Sequence, residues 1–161
     1  MVDLESGYAS KNPVFSYGSA IFLVYQLKNY FARGIAEDSK CEACGREAET
    51  IIHVFRDCEI AKKFWLDTGN MRCSSNFFNS DLCSWLKKNL RRCKDLVEST
   101  LPWEVFFAFG IWGLWMQKNK RVFNQVIPNS RLSKEVKSMA LNYFYYAGRV
   151  KPMTTKSPIN V

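Results

Sequence analysis

Residues 41–58 read CEACGREAETIIHVFRDC, and this stretch decides more of the structure than any other part of the chain. It follows the pattern C-x2-C-x8-H-x4-C. Three Cys and one His are a common donor set of tetrahedral structural zinc sites. A Cys-x2-Cys turn brings two thiolates to one side, and Gly45 directly after it can take the positive φ in which such turns often end. The spacing predicts one structural Zn2+ ion, held by Cys41, Cys44, His53 and Cys58.

The alternative is that this arrangement arose by chance. The chain has six Cys, so one accidental Cys-x2-Cys pair is not rare. Finding the only His and another Cys at suitable offsets is much rarer, of order one in a hundred. A redox or core role for the Cys pair predicts nothing about His53. Cys73, Cys83 and Cys93 lie ten residues apart with no His nearby, so they are interpreted as small core residues or surface thiols.

The rest of the chain predicts a mainly α fold, in which a small zinc-stabilised helical module is followed by a helical bundle-like segment. Nearly half of the 161 residues are apolar, which suffices for a core. Apolar residues three or four apart predict helices over 20–33, 82–90 and 132–146, one opened by Cys58, and a longer one after Pro102 that reaches Phe123. Thr50 is expected to cap a short helix, and residues 70–79 are expected to form a loop.

The predicted domain organisation has four parts. They are an irregular lead-in at 1–19, the zinc-binding module at 20–70, a basic, aromatic-rich helical region at 71–148, and a disordered tail at 149–161. No strand pair is expected outside the metal region.

Charge is distributed unevenly along the chain. Residues 1–85 carry 9 Lys+Arg and 11 Asp+Glu, whereas residues 86–161 carry 14 and 4, within a net charge of +8. Such asymmetry indicates an acidic partner, RNA or DNA above all. The alternative is a solvated helical surface that happens to be rich in lysine. The residues expected to contact phosphates are Lys87, Lys88, Arg91, Arg92, Lys118, Lys120 and Arg121.

The sequence does not predict an enzyme. With His53 on the metal, no His remains to activate a Ser or Cys nucleophile, and four protein donors leave no position for a catalytic water. No phosphate-binding G-x-x-x-x-G-K-[ST] or G-x-G-x-x-G loop occurs. The acids around the Cys/His segment, among them Glu42, Glu47, Glu49 and Glu59, are interpreted as solvated surface.

The expected location is intracellular, in the nucleus or cytoplasm. The N-terminus lacks the basic and apolar regions of a secretory signal. The apolar run from Trp103 to Met116 is shorter than the roughly 20 residues that a membrane span needs. No membrane association is therefore expected.

Residues 27–65, LKNYFARGIAEDSKCEACGREAETIIHVFRDCEIAKKFW, resemble the reverse transcriptase zinc-binding domain of plant non-LTR retrotransposons and genes derived from them. The shared features are the ARGI lead-in, C-x-x-C-G, E-T-x-x-H, the following Cys and a Trp seven residues later. The resemblance implies the same four zinc ligands, with Trp65 packing behind them. It continues in WLKKNL and WEVFFAFGIWGLWMQKNKRVFNQ, to about residue 125.

The chain departs from that family's usual context. The region before Leu27 is unlike the family's entry helix, and neither a polymerase palm nor an RNase H domain with its acidic site is present in the sequence. We therefore expect a truncated, non-catalytic module of nucleic-acid-associated ancestry. The alternatives are a structural or protein-interaction module, whose aromatic helix at 103–123 docks on a partner, and a degenerate gene product without retained activity.

Overall fold

A computed structural model describes residues 40–69, 73, 75–91, 96–97, 100–124 and 129–147. Within these residues the chain is mostly helical, as predicted. The elements are a π-helical turn at His53–Asp57, α1 at Glu59–Leu66, α2 at Ser75–Phe78, α3 at Leu82–Leu90, β1 at Leu96–Val97, β2 at Leu101–Pro102, α4 at Trp103–Asn124 and α5 at Leu132–Ala147. The predicted lead-in, the helix over 20–33, the C-terminal tail, Arg92 and Cys93 lie outside the described residues.

Helices α1 and α3 begin and face the core as their sequences predict. Cys58 is the extended N-cap residue of α1, and Phe64 and Trp65 are buried on its inner side. In α3, the Asp81 carboxylate accepts a hydrogen bond from the Ser84 backbone N–H at 3.0 Å, which satisfies one of the unpaired donors at the helix start. The apolar side of α3 packs inward and leaves its lysines exposed.

The longest helix, α4, is the centre of the packing. It begins at Trp103, directly after Pro102, where the fixed φ of proline suits a helix start. Two contacts show that helices α4 and α5 run antiparallel. Phe109 packs on Tyr143, and Gly113, further along α4, lies against Val136, which is earlier in α5. The 14-residue apolar run is thus part of a buried helix, and none of the helices in the described part of the chain is long and apolar enough to cross a membrane.

Trp65 on α1 lies in the middle of an aromatic cluster and is 0% exposed. Its ring contacts six other aromatic side chains, and its indole N–H donates a hydrogen bond to the Phe55 carbonyl at 2.8 Å. The neighbours are Phe64, Phe77, Trp85, Trp103, Phe106 and Phe107. The buried residues on both sides of position 70 form one core, which extends from Cys41 to Ala140. The four-part division of the chain stays a prediction.

Two short elements were not predicted from the sequence. Val97 and Leu101 pair across a two-stranded antiparallel ladder, and both side chains are buried, so burial of apolar side chains holds this turn together. Within the expected loop at 70–79, Ser75–Phe78 forms a helical turn because Phe77 packs between Trp65 and Trp85. Tertiary contacts overrode the loop-like Ser/Asn composition there.

Candidate metal centre

The first half of the site is a closed loop that starts at Cys41. The Cys41 backbone N–H donates to the Glu47 carbonyl at 2.8 Å, and Lys40 and Ala48 form an antiparallel bridge beside it. Inside the loop, the Gly45 N–H donates to the Cys41 carbonyl at 2.7 Å, and Gly45 has a φ of 67°. The expected left-handed glycine is confirmed, and the turn it closes brings Cys41 and Cys44 to the same side.

The second half of the site depends on the π-helical turn. His53 and Cys58 are five residues apart, so on an α-helix their side chains would be about 140° apart. Here the Cys58 N–H instead donates to the His53 carbonyl at 2.7 Å, an i→i+5 bond that brings the two side chains to nearly one side. Thr50 assists as predicted, since its hydroxyl accepts a hydrogen bond from the His53 N–H at 3.2 Å.

The four predicted donors come together in the folded chain. Their ligand atoms all lie within 4.8 Å of one another. The Cys41 and Cys58 sulfurs are 4.0 Å apart, and the Cys44 sulfur is 3.3 Å from His53 Nε2. Ideal tetrahedral zinc bonds give edges of about 3.8 Å between two sulfurs and about 3.6 Å between sulfur and nitrogen. The cluster therefore fits one zinc ion, with Nε2 as the donor atom of His53.

The donor residues shift one another's pKa values in opposite directions. Contact with the Cys58 sulfur lowers the pKa of Cys41 to about 4, whereas the same contact, together with burial, raises the pKa of Cys58. The backbone N–H groups of Glu47 and Arg46 lower the pKa of Cys44. A thiolate is the metal-binding form, so metal binding to these cysteines is coupled to the release of protons.

Three acids near the site make specific contacts. Glu47 and Glu59 are largely exposed, as interpreted, whereas the Glu49 side chain is only 11% exposed, which corrects its interpretation as solvated surface. Glu47 Oε2 lies 3.1 Å from His53 Nδ1, on the side of the ring opposite the sulfurs. Glu59 pairs with Arg46, and Glu49 pairs with Lys118. Nothing in the residue pattern distinguishes Glu47 from the neighbouring acids, because its partner is six residues away and the loop geometry sets the contact.

The residues expected to contact phosphates occupy different environments. Lys87, Lys88, Arg91 and Lys120 are exposed, and Arg121 is half-buried. Lys118 forms an ion pair with Glu49, and the two side chains are only 16% and 11% exposed. The Lys118 ammonium also lies 5.6 Å from the centre of the Trp115 ring. These contacts give Lys118 a structural role that joins the zinc loop to α4. Its contact with phosphate stays a prediction.

The remaining described cysteines lie apart from the cluster. Cys73 is buried, and burial raises its pKa to about 11, whereas Cys83 is exposed on α3. Their interpretation as a core residue and a surface thiol is confirmed.

The fold and the site define a class of protein, a helical zinc-binding domain with a closed Cys3His donor set. Residues 24–65, which include all four donors, match the family described as zinc-binding in reverse transcriptase. The resemblance predicted from the sequence is confirmed.

A plant protein extends the match beyond the zinc segment. The chain is 29% identical over 122 residues to an Arabidopsis thaliana protein named "Putative ribonuclease H protein". The aligned region covers 73% of this chain but 19% of the relative, so the chain spans about a fifth of that protein's length. No solved structure matches the chain.

Proposed function

We propose that this chain is a non-catalytic module in which one structural zinc ion fixes the loop at 40–58 onto a helical core. The observation that carries the proposal is the closed set of four donors, three of them buried and all within 4.8 Å. When bound, zinc supplies four coordinate bonds and has no open position for substrate. Cys41 and Cys44 present sulfurs from the loop, and His53 and Cys58 present their donors from the π-helical turn.

The loop and the core share contacts that explain why zinc would support folding. Phe55, between the last two donors, packs on Trp115 of α4 at 6.5 Å between ring centres. Its carbonyl accepts the indole N–H of Trp65. Metal binding energy becomes folding energy when the donors converge only in the folded chain. Zinc would therefore stabilise both the loop and the side of the aromatic cluster that the loop covers.

Metal analysis of the purified protein tests this proposal. The wild type is expected to hold near one zinc per chain, and Cys44→Ser and His53→Ala are each expected to lose it. Cys83→Ser is the matched control, since this exposed cysteine lies outside the cluster. A wild type without zinc, or zinc retained in both donor variants, would contradict the proposal.

We also infer that the module contacts nucleic acid through the end of α3. Lys87 and Lys88 lie exposed in its last turn, and the exposed Arg91 caps it. None of the three forms an ion pair with another described residue. Three cations within five residues suit contact with the phosphate backbone, which needs no base reading.

The alternative function, a protein-interaction module that docks through the aromatic helix at 103–123, has less support. Its distinguishing sign is an exposed aromatic patch on the helix at 103–123. The rings of Trp103, Phe106 and Phe107 are instead buried in the chain's own core. An exposed patch that could dock a partner is therefore not formed by these three side chains.

Binding to RNA and DNA across a salt series tests the nucleic-acid proposal. Affinity is expected to fall steeply as the salt concentration rises. The double variant Lys87→Gln with Lys88→Gln is expected to make this dependence shallower, reducing the magnitude of the slope of log K against log salt by about 1–2. The control pair is Lys62→Gln with Lys63→Gln, which removes the same charge from exposed positions on α1. Equal effects of the two pairs, or affinity that does not change with salt, would refute a contact at α3.

A further inference from the structure

We propose that Glu47 is the positioning residue of the zinc site, because it holds His53 in the tautomer and orientation that present Nε2 to the metal. This inference rests on the proposed zinc site and adds a residue outside its donor set. The carboxylate Oε2 of Glu47 lies 3.1 Å from Nδ1 of His53. Metal-binding histidines commonly donate their second ring N–H to a carboxylate, which fixes the ring and increases its basicity as a ligand.

The tautomer follows from the two contacts of the imidazole ring. Nε2 is the ring atom that faces the sulfurs, 3.3 Å from that of Cys44. A neutral imidazole carries one proton, and a nitrogen that binds a metal must leave its lone pair free. The proton is therefore on Nδ1, where it is donated to Glu47. With the carboxylate removed, both the tautomer and the ring orientation lose this constraint.

Glu47 also contacts two other donor residues through its backbone. Its carbonyl accepts the Cys41 N–H at 2.8 Å, and its own N–H hydrogen-bonds to the Cys44 sulfur, which lowers the pKa of that thiol. One residue thus contacts three of the four donor residues. The backbone contacts survive a side-chain substitution, so changing the carboxylate isolates its effect on His53.

A substitution at Glu47 is expected to leave the core packing unchanged, because the side chain lies at the surface. It is 72% exposed, so its replacement opens no cavity in the core. The neighbouring acids have other partners, since Glu49 pairs with Lys118 and Glu59 with Arg46. Glu42 lies exposed in the same loop, within one residue of Cys41, and provides a control of equal charge.

The experiment measures zinc affinity by competition with a chelator of known affinity. Glu47→Ala is expected to weaken binding by about 10- to 100-fold. Glu47→Gln keeps an oxygen that can accept the bond without the charge, so a smaller loss is expected. Glu42→Gln is expected to stay within about twofold of the wild type. An unchanged affinity in Glu47→Ala, or an equal loss in Glu42→Gln, would overturn the inference.

A second measurement does not depend on how well any variant folds. Nitrogen-15 NMR of the zinc-loaded wild type reports which ring nitrogen of His53 carries the proton. We expect the proton on Nδ1 and the metal on Nε2. A metal bound at Nδ1 would refute the role of Glu47 while leaving the zinc site standing, whereas a wild type that binds no zinc would refute the proposed function itself.

Discussion

Replacing Gly110 with alanine tests the contact between the zinc-binding half of the chain and α4. A Cβ at position 110 would lie 2.6 Å from Cη2 of Trp65 and 3.0 Å from Cε1 of Phe64. Carbon atoms pack best at about 3.5–4.0 Å, so the indole ring would have to move by about 1 Å. Rings on several sides and the hydrogen bond to the Phe55 carbonyl oppose that movement.

The expected magnitude combines two opposing effects. Alanine in place of glycine inside a helix stabilises by about 1 kcal/mol. Overpacking a core typically costs about 1–3 kcal/mol, and the upper end applies to Gly110 because Trp65 is enclosed. The net expectation for Gly110→Ala is a loss of about 2 kcal/mol in the free energy of unfolding, measured by urea denaturation with zinc present.

A double-mutant cycle identifies the cause of that loss. Trp65→Phe removes the ring atoms nearest position 110, so in this background Gly110→Ala is expected to be neutral or to stabilise by up to about 1 kcal/mol. The sign of the substitution thus reverses between the two backgrounds. If Gly110→Ala stabilises the otherwise unchanged protein, the packing of α1 on α4 described above is wrong.

Four further predictions concern Asn89, Cys73 and Thr50. Asn89→Ala is expected to cost about 1–3 kcal/mol of unfolding free energy, because the buried Asn89 amide accepts the Trp103 indole N–H at 3.0 Å and the substitution leaves that donor unpaired; a loss below about 0.5 kcal/mol in urea denaturation would contradict this. Cys73 is expected to react with a thiol reagent at pH 8 far more slowly than Cys83, because its pKa is raised to about 11, and mass spectrometry of the labelled peptides checks the order. Since the unfolded Cys73 thiol ionises near pH 9, its contribution to stability is present below that pH and is lost as the pH rises toward 11. Thr50→Ala is expected to cost about 1 kcal/mol through the lost hydrogen bond to the π-helical turn, and an unchanged thermal unfolding midpoint would refute that role.

Much of the site follows from the sequence because zinc chemistry restricts the choice of residues. A single His and three Cys at these offsets leave few other donor sets, and Gly45 marks the turn between them. The helices that bear apolar residues at regular spacing, α1, α3, α4 and α5, were predicted for a similar reason.

The parts that the sequence did not predict depend on contacts between distant residues. The contact of Glu47 with His53 depends on how the loop closes. Glu42 and Glu49 lie in the same segment and carry the same carboxylate, so the sequence does not distinguish them from Glu47. Glu49 and Lys118 are 69 positions apart in the sequence, so their pairing could not be predicted, and Lys118 was grouped with the cations expected to contact phosphates. The π-helical turn was also missed, because a spacing of five residues between His53 and Cys58 fits several local conformations.

X-ray absorption spectroscopy of the zinc-loaded protein identifies the atoms bound to the metal, and so tests directly whether the four residues form a closed zinc site. We expect three sulfur atoms at about 2.3 Å and one nitrogen at about 2.0–2.1 Å, with no fifth ligand. His53→Ala is expected to lose the nitrogen contribution. A metal shell with oxygen ligands, or with fewer than three sulfurs, would contradict a closed structural site formed by Cys41, Cys44, His53 and Cys58.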